Sequence, residues 1–178
     1  VDVMKNIVNH YSPTRLFNLS VSRQRPQVYT HMPLWAATID KLIWEKDILF
    51  IVAAGNIPRI SNDPNITSIQ DYVTAGIQYP DFLKEERSKI TSPAHSCFAL
   101  TVGSVCLSEF NNGALLSFGK TQFPSSFSRT GLGLWGMIKP DVVEYGGDFI
   151  YEKANAGNIV THDDVSPFLI RSTRNGGP

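Results

Sequence analysis

Apolar residues near the start of the chain recur at helical spacing. Val3, Met4, Ile7, Val8 and Tyr11 lie one, three or four residues apart, which places them on one face of a helix. The helix is predicted to end near Ser12-Pro13, because proline cannot continue it.

A second amphipathic pattern predicts a longer helix. It begins at Pro33, a residue suited to a first helical position, and runs to about Lys46. The residues expected to face inward are Leu34, Trp35, Thr38, Ile39, Leu42 and Ile43.

Each predicted helix leads into an apolar run. Arg15–Val21 reads as a buried strand, and Ile48–Ala54 is an uninterrupted apolar stretch typical of a strand covered on both faces. Strand patterns return at 97–105, Ala114–Phe118 and Asp141–Val143. Alternating helices and strands with short joins predict an α/β fold, a parallel sheet with helices on both faces.

Two stretches do not fit the sheet. Residues 57–90 are polar and contain three prolines, so we expect an excursion between strands with short helices near Ser68–Thr74 and Asp81–Lys89. The tail over 151–178 is polar and ends in Asn-Gly-Gly-Pro, which predicts irregular structure.

Composition narrows the function classes. Basic and acidic residues balance at 16 each without long runs, so nothing predicts a nucleic-acid or anionic-membrane partner. No apolar run reaches the roughly 18 residues of a membrane helix. The cellular location stays open.

The two cysteines are predicted to be free thiols. Cys97 and Cys106 bracket a predicted strand, which would hold them roughly 30 Å apart, beyond disulfide reach. No His or Cys stands at ligand spacing from them, so we expect no zinc site and no cofactor; calcium is not indicated either.

The segment with the strongest chemical content is Ala53-Ala54-Gly55-Asn56. It follows a buried strand, and ligands of parallel sheets bind at the carboxyl ends of strands. The Asn56 amide there could donate to an oxyanion. On the tetrapeptide alone, the favoured interpretation is a turn in which Gly55 adopts a positive φ and Asn56 caps a backbone group.

Four segments, in order, resemble motifs of the subtilisin-like (S8) serine peptidases. Leu16-Phe-Asn-Leu-Ser-Val-Ser22 resembles the family's "viNxSxG" strand, and Ile48–Asn56 resembles "vvvvaAAGN". Ser92-Pro-Ala94 followed by Leu100-Thr-Val-Gly-Ser-Val105 resembles "yPA…viaVGav".

The fourth segment is Leu116-Ser-Phe-Gly119 followed by Ile138-Lys-Pro-Asp-Val-Val143, which resembles "fSsxGp…iKPDvvApG". The loop after it should differ in shape, because Glu144-Tyr-Gly-Gly147 replaces the usual Ala-Pro-Gly. The resemblance covers roughly residues 1–150 and implies that 1–178 is a partial S8 peptidase domain with an incomplete subtilisin-like sheet.

The resemblance also implies roles for individual residues. Asn56 would be the side-chain donor of the oxyanion hole. Ser20-Val21-Ser22 would pair with the substrate backbone and form one wall of the pocket for the residue before the cut. Ser22 stands where the family usually has Gly, which bears on the width of that wall.

The opposite wall would be Ala53, Ala54 and Gly55, whose small side chains leave room for a large substrate residue. Close packing at the strand ends is the alternative explanation for these small residues. The Ser92–Pro93 bond is expected to be cis.

The family's catalytic motifs do not occur in these 178 residues. There is no Asp-(Ser/Thr)-Gly, His-Gly-Thr-His or Gly-Thr-Ser-x-Ala, and His10, His31, His95 and His162 read as surface or loop histidines. His162-Asp-Asp164 reads as a solvated turn. We therefore expect a fragment of a serine endopeptidase, inactive alone, whose partner is a peptide or protein substrate.

Without the family's serine-bearing helix, one sheet face should expose apolar surface, so we also expect homodimerisation through that face. Two other functions remain open. One is a non-catalytic module that binds an extended peptide beside Ser20–Ser22 by strand addition. The other is an unrelated α/β domain whose Ala-Ala-Gly-Asn turn binds a small ligand.

Overall fold

The computed structural model describes residues 1–26, 30–155 and 159–160. The longer helices are α1, Asp2–His10, and α2, Leu34–Lys46; the short α3 spans Ile69–Thr74. The strands are β1 Leu16–Leu19, β2 Leu49–Ala53, β3 Leu100–Cys106, β4 Leu115–Ser117, β5 Val142–Gly146, β6 Ile150–Glu152 and β7 Ile159–Val160.

Four strands form the predicted parallel sheet, in the order β1-β2-β3-β5. Its register sets Phe17 beside Phe50 and Leu19 beside Val52, so the apolar residues of both strands line the same face. The α/β fold class expected from the alternation of helices and strands is therefore confirmed.

The main core lies between this face and helices α1 and α2. Val8, Ile39, Leu42, Phe50 and Val52 are buried there, and each such side chain contributes about 1.5–3 kcal/mol when removed from water. α2 ends at Asp47, which adopts a left-handed conformation with φ 51° and turns the chain into β2.

Several residues predicted to face the core do not. Leu34 is 73% exposed because it is the first residue of α2, at the margin of the helix's apolar stripe. In α1, Val8 is buried and Met4 packs against the core, whereas Val3, Ile7 and Tyr11 are exposed. The helix assignments hold, but their buried stripes are narrower than the spacing indicated.

The opposite face of the parallel sheet is only partly covered within the described residues; it is closed near Cys106, which is buried, and exposed elsewhere. Leu16, Leu49 and Val142 point to this side, and they are 55%, 39% and 44% exposed. The predictions of a buried strand at Arg15–Val21, of a β2 covered on both faces and of helices on both faces of the sheet are therefore wrong for the described residues. β1 spans only Leu16–Leu19 and has no fully buried residue, and α1 and α2 both pack on the same face of the sheet.

The excursion over 57–90 builds a second core. Ser68 caps α3 through a capping box with Asp71, and two 3₁₀ turns, Asp81–Lys84 and Glu86–Ser88, take the place of the second predicted helix. The buried residues of this core are Ile57, Ile69, Tyr72, Phe82, Leu83 and Ile159.

A separate antiparallel sheet has the order β4-β6-β7. The strand predicted at Ala114–Phe118 forms here as β4. β6 and β7 occupy part of the tail expected to be irregular, and Ile159 is buried in the second core. The rest of the predicted tail, 156–158 and 161–178, lies outside the described residues.

Candidate active site

Asn56 lies just past the carboxyl end of β2, in a turn that its backbone fixes tightly. It forms an isolated antiparallel bridge with Ser128. The next amide, of Ile57, donates to the Phe127 carbonyl at 2.7 Å, and the Arg129 amide donates to the Gly55 carbonyl at 3.1 Å. Asn56 itself is exposed, so the turn holds its backbone while its side chain faces solvent.

The side chain of a buried arginine supports the backbone of this turn. Arg129 is fully buried, and its Nε donates to the Asn56 carbonyl at 3.1 Å. Its two terminal nitrogens donate to the carbonyls of Arg87, Lys89 and Gln24 at 2.8, 3.2 and 2.7 Å. The Arg129 guanidinium therefore joins the Asn56 turn to two other chain segments, one at Gln24 and one at Arg87–Lys89. Burial lowers the pKa of Arg129 to about 10, so the group is still charged at neutral pH.

The residues predicted as the first wall follow β1 directly. Ser20 and Val21 are exposed and Ser22 is half-buried. Because β1 and β2 are adjacent parallel strands, their carboxyl ends meet at the same sheet edge. The Arg23 amide donates to the Ser92 carbonyl at 2.9 Å, which anchors this wall to the segment that carries the Ser92–Pro93 bond.

The residues predicted as the second wall, Ala53–Gly55, lie at the carboxyl end of the adjacent strand β2. Gly55 has φ +99°, a conformation that favours glycine. The Ala54 carbonyl accepts from the Thr91 amide at 3.4 Å, so the wall continues into the Thr91–Ser92 segment. The Ser92–Pro93 bond is cis, as predicted.

The space beside the Gly55 α-carbon is already filled by neighbouring side chains. A Cβ added to Gly55 would lie 2.6 Å from Thr91 Oγ1, 3.0 Å from Arg129 Cδ and 3.1 Å from Ser22 Oγ. The sequence indicated room for a large side chain here, but the side chains of Ser22, Thr91 and Arg129 converge on Gly55.

The hydroxyls beneath the walls are enclosed. Thr91 and Ser92 are 0% and 1% exposed, and neither Thr91 Oγ1 nor Ser92 Oγ has a hydrogen-bond partner among the described residues. Buried hydroxyls without partners are uncommon in folded proteins.

Comparison with known proteins identifies the family. The family model described as "Subtilase family", Peptidase_S8, matches residues 3–170. The chain belongs to the subtilases. It is also 34% identical over 125 residues, 66% of its length, to "Uncharacterized protein y4bN" of Sinorhizobium fredii. The aligned part spans about a quarter, 27%, of that relative. No solved structure shows a significant match.

The subtilase motif Ile138-Lys-Pro-Asp-Val-Val143 has a clear structural use in this chain. The buried Lys139 donates through Nζ to the Asp141 carboxylate at 2.7 Å and to the Ala99 carbonyl at 3.2 Å. The same carboxylate accepts from the Thr101 amide at 2.7 Å. This ion pair joins the start of β5 to β3, so it supports the sheet and not the cleft.

The other proposed subtilase segment, Leu116-Ser-Phe-Gly119, lies away from Asn56. Its first two residues belong to β4 of the antiparallel sheet. The residues that hold the Gly55–Ile57 turn are instead Phe127, Ser128 and Arg129. Sequence reasoning missed them because they sit in a run of small polar residues typical of a turn, and charged side chains are seldom fully buried.

The histidines occupy different settings in this subtilase chain. His10 and His31 are exposed, as expected, and His162 lies outside the described residues. His95 is in a turn but only 6% exposed, so it is not a surface residue. It lines a cavity of about 500 Å³ together with Lys89 and Trp135.

The thiols are free in the structure, as predicted. Cys97 is exposed and Cys106 is buried. Burial raises the pKa of Cys106 to about 12, so its thiol stays protonated at neutral pH.

Two searches of the described part of the chain were negative. No group of three or more His, Cys, Asp or Glu side chains there is arranged to hold a metal ion. No described helix has the length and apolar character needed to cross a membrane.

Proposed function

We propose that this chain is part of a serine endopeptidase in which Asn56 stabilises the tetrahedral oxyanion formed during peptide-bond hydrolysis. The observation that carries the proposal is the setting of Asn56: an exposed amide at the carboxyl end of a parallel strand, on a backbone held by Ser128 and Arg129. A donor fixed before the reaction stabilises developing charge without reorganisation at that moment.

The substrate would lie between the two walls. The strand edge Ser20–Ser22 would pair with its backbone, and Ala53–Gly55 would face it. β1 is at one end of the strand order, which is where an extended peptide can add to a sheet. The Asp, His and Ser motifs are absent from the 178 residues, so we propose that this segment alone is a fragment without hydrolytic activity.

The test is covalent labelling of the full-length gene product with a serine-directed phosphonate. Labelling should occur at a serine outside the present sequence, and the isolated 178 residues should not be labelled. Asn56→Ala should slow labelling by about a hundredfold to a thousandfold. Asn6→Ala, at an exposed position in α1, is the matched control and should leave the rate unchanged.

A non-catalytic peptide-binding module is the second candidate, favoured by the position of β1 at the sheet edge. Absence of labelling in the full-length protein, with retained binding of an extended peptide that weakens on Val21→Pro, would support it. Proline at that position removes the backbone donor that strand addition requires.

A further inference from the structure

Ser22 and Gly55, one residue from each predicted wall, lie close together, and their separation limits what can enter between them. Ser22 Oγ lies 3.1 Å from the position of a Cβ on Gly55. Because a bond to Cβ is about 1.5 Å, Ser22 Oγ is within roughly 5 Å of the Gly55 α-carbon. A carbon atom between two others needs about 3.5–4 Å to each neighbour. A substrate side chain therefore cannot be inserted between Ser22 and Gly55 in this arrangement.

Two of the three side chains that fill this space are fixed. Arg129 Cδ is bonded to a guanidinium that donates to four backbone carbonyls. Thr91 is fully buried, and its Oγ1 would lie 2.6 Å from the added Cβ. Widening the space on either side would break buried packing or hydrogen bonds, which is costly.

We propose that the peptidase cleaves after glycine or alanine, because Ser22, Thr91 and Arg129 occupy the space that a larger side chain before the cut would need. The inference rests on the proposed function and names its substrate class. Of the three residues, Ser22 is the one best suited to substitution. It is half-buried, whereas Thr91 and Arg129 are fully buried.

The test uses the full-length protein and a series of fluorogenic peptides that differ only in the residue before the cut, Gly, Ala, Leu or Phe. We expect kcat/KM for Ala to exceed that for Phe by roughly a hundredfold or more, the range over which pockets discriminate by size. Equal or faster cleavage after Leu or Phe would overturn the inference while leaving the proposed function intact.

Ser22→Gly should open the space above Thr91 and reduce the Ala-to-Phe ratio by about tenfold or more. Ser22→Ala, which removes only Oγ, should give a smaller reduction, and cleavage of the Ala peptide reports that each variant is folded. Ser12→Gly, in the exposed turn after α1, is the control and should leave the ratio unchanged. An unchanged ratio in Ser22→Gly would overturn the assignment to Ser22. Failure to cleave any peptide, together with no phosphonate labelling, would remove the proposed function and this inference with it.

Discussion

The side chain of Arg129 donates from Nε to the backbone carbonyl of Asn56 across 3.1 Å, from a fully buried position. Its remaining bonds go to the carbonyls of Gln24, Arg87 and Lys89. All four acceptors of the Arg129 guanidinium are neutral carbonyls, and none is a carboxylate. The positive charge of Arg129 is therefore directed at the segments around Asn56. This interaction couples the geometry of the candidate oxyanion donor to the packing beneath it.

Arg129→Met should destabilise the full-length protein by at least about 3 kcal/mol, because it leaves several buried carbonyls without donors. It should also lower kcat more than it raises KM, since the Asn56 turn loses its support. Urea-induced unfolding and steady-state kinetics measure the two effects. Arg129→Lys should recover only part of either, because an ammonium cannot reproduce the planar arrangement of donors.

Arg15→Met is the matched control for that substitution. Arg15 Nη1 also donates to backbone carbonyls, those of Lys46 and Asp47, but its side chain is 64% exposed. The expected change in the free energy of unfolding is below about 1 kcal/mol. A comparable loss in both variants would contradict a special role for Arg129.

Gly55→Ala should disturb the site through both backbone strain and steric overlap. The φ of +99° costs about 1–2 kcal/mol for a residue with a Cβ. The overlap with Thr91 and Arg129 adds about 1–3 kcal/mol. We expect a corresponding loss of stability and a fall in kcat, measured by urea unfolding and peptide hydrolysis.

Gly113→Ala separates the two contributions. Gly113 also has a positive φ, +90°, but no atom lies within 4 Å of an added Cβ. It should therefore show only the strain of about 1–2 kcal/mol and normal kcat. Equal effects at both positions would mean that the close contacts around Gly55 contribute nothing.

The sequence predicted those helices and strands whose apolar residues recur with a regular spacing. The periods of α1, α2 and the apolar runs predicted the parallel sheet, because helical and strand spacings differ and short joins restrict the topology. The Ser92–Pro93 conformation was predicted from the family resemblance and is confirmed.

What the sequence could not predict depends on contacts between distant segments. Arg129 bonds to Gln24, 105 residues earlier, and its hydrophilic neighbours give no sign of burial. The close packing around Gly55 depends on where the chain places Ser22 and Thr91, 33 and 36 residues away in sequence, which no local pattern records. β6 and β7 were missed because each is only two or three residues long and lies in or at the edge of a polar stretch without a longer apolar run, unlike β4.

The open face of the parallel sheet should make the isolated 178-residue chain self-associate. Leu16 on β1 and Leu49 on β2 are register partners on this face. Val142, on β5, lies two strands beyond Leu49. Burying them against a second copy would remove apolar surface from water. Light scattering coupled to size exclusion should detect dimers or larger species.

Leu16→Lys combined with Leu49→Glu should shift the isolated chain toward monomer. The control pair, Val3→Lys with Ile7→Glu, places the same charges on the exposed side of α1 and should leave the association unchanged. A monomeric parent chain would contradict the proposed homodimer.

Acidification should destabilise the protein through His95. Burial holds the pKa of this histidine below its ordinary value, the positive charge of Lys139 acts in the same direction, and a hydrogen bond with the Ile90 backbone partly offsets both. The unfolded state therefore binds a proton near pH 6.5 while the folded state resists it, so stability is complete above pH 6.5 and falls as the pH drops below it.

The slope contributed by one such group approaches about 1.4 kcal/mol per pH unit below pH 6.5 and flattens at the folded pKa. Urea unfolding of the full-length protein at a series of pH values between 5 and 8 measures it. His95→Gln keeps a hydrogen-bond donor but does not titrate, so its stability should depend less on pH in this range. His10→Gln, at an exposed helix end, should retain the parent slope. A parent slope that persists in His95→Gln would assign the acid sensitivity to other groups.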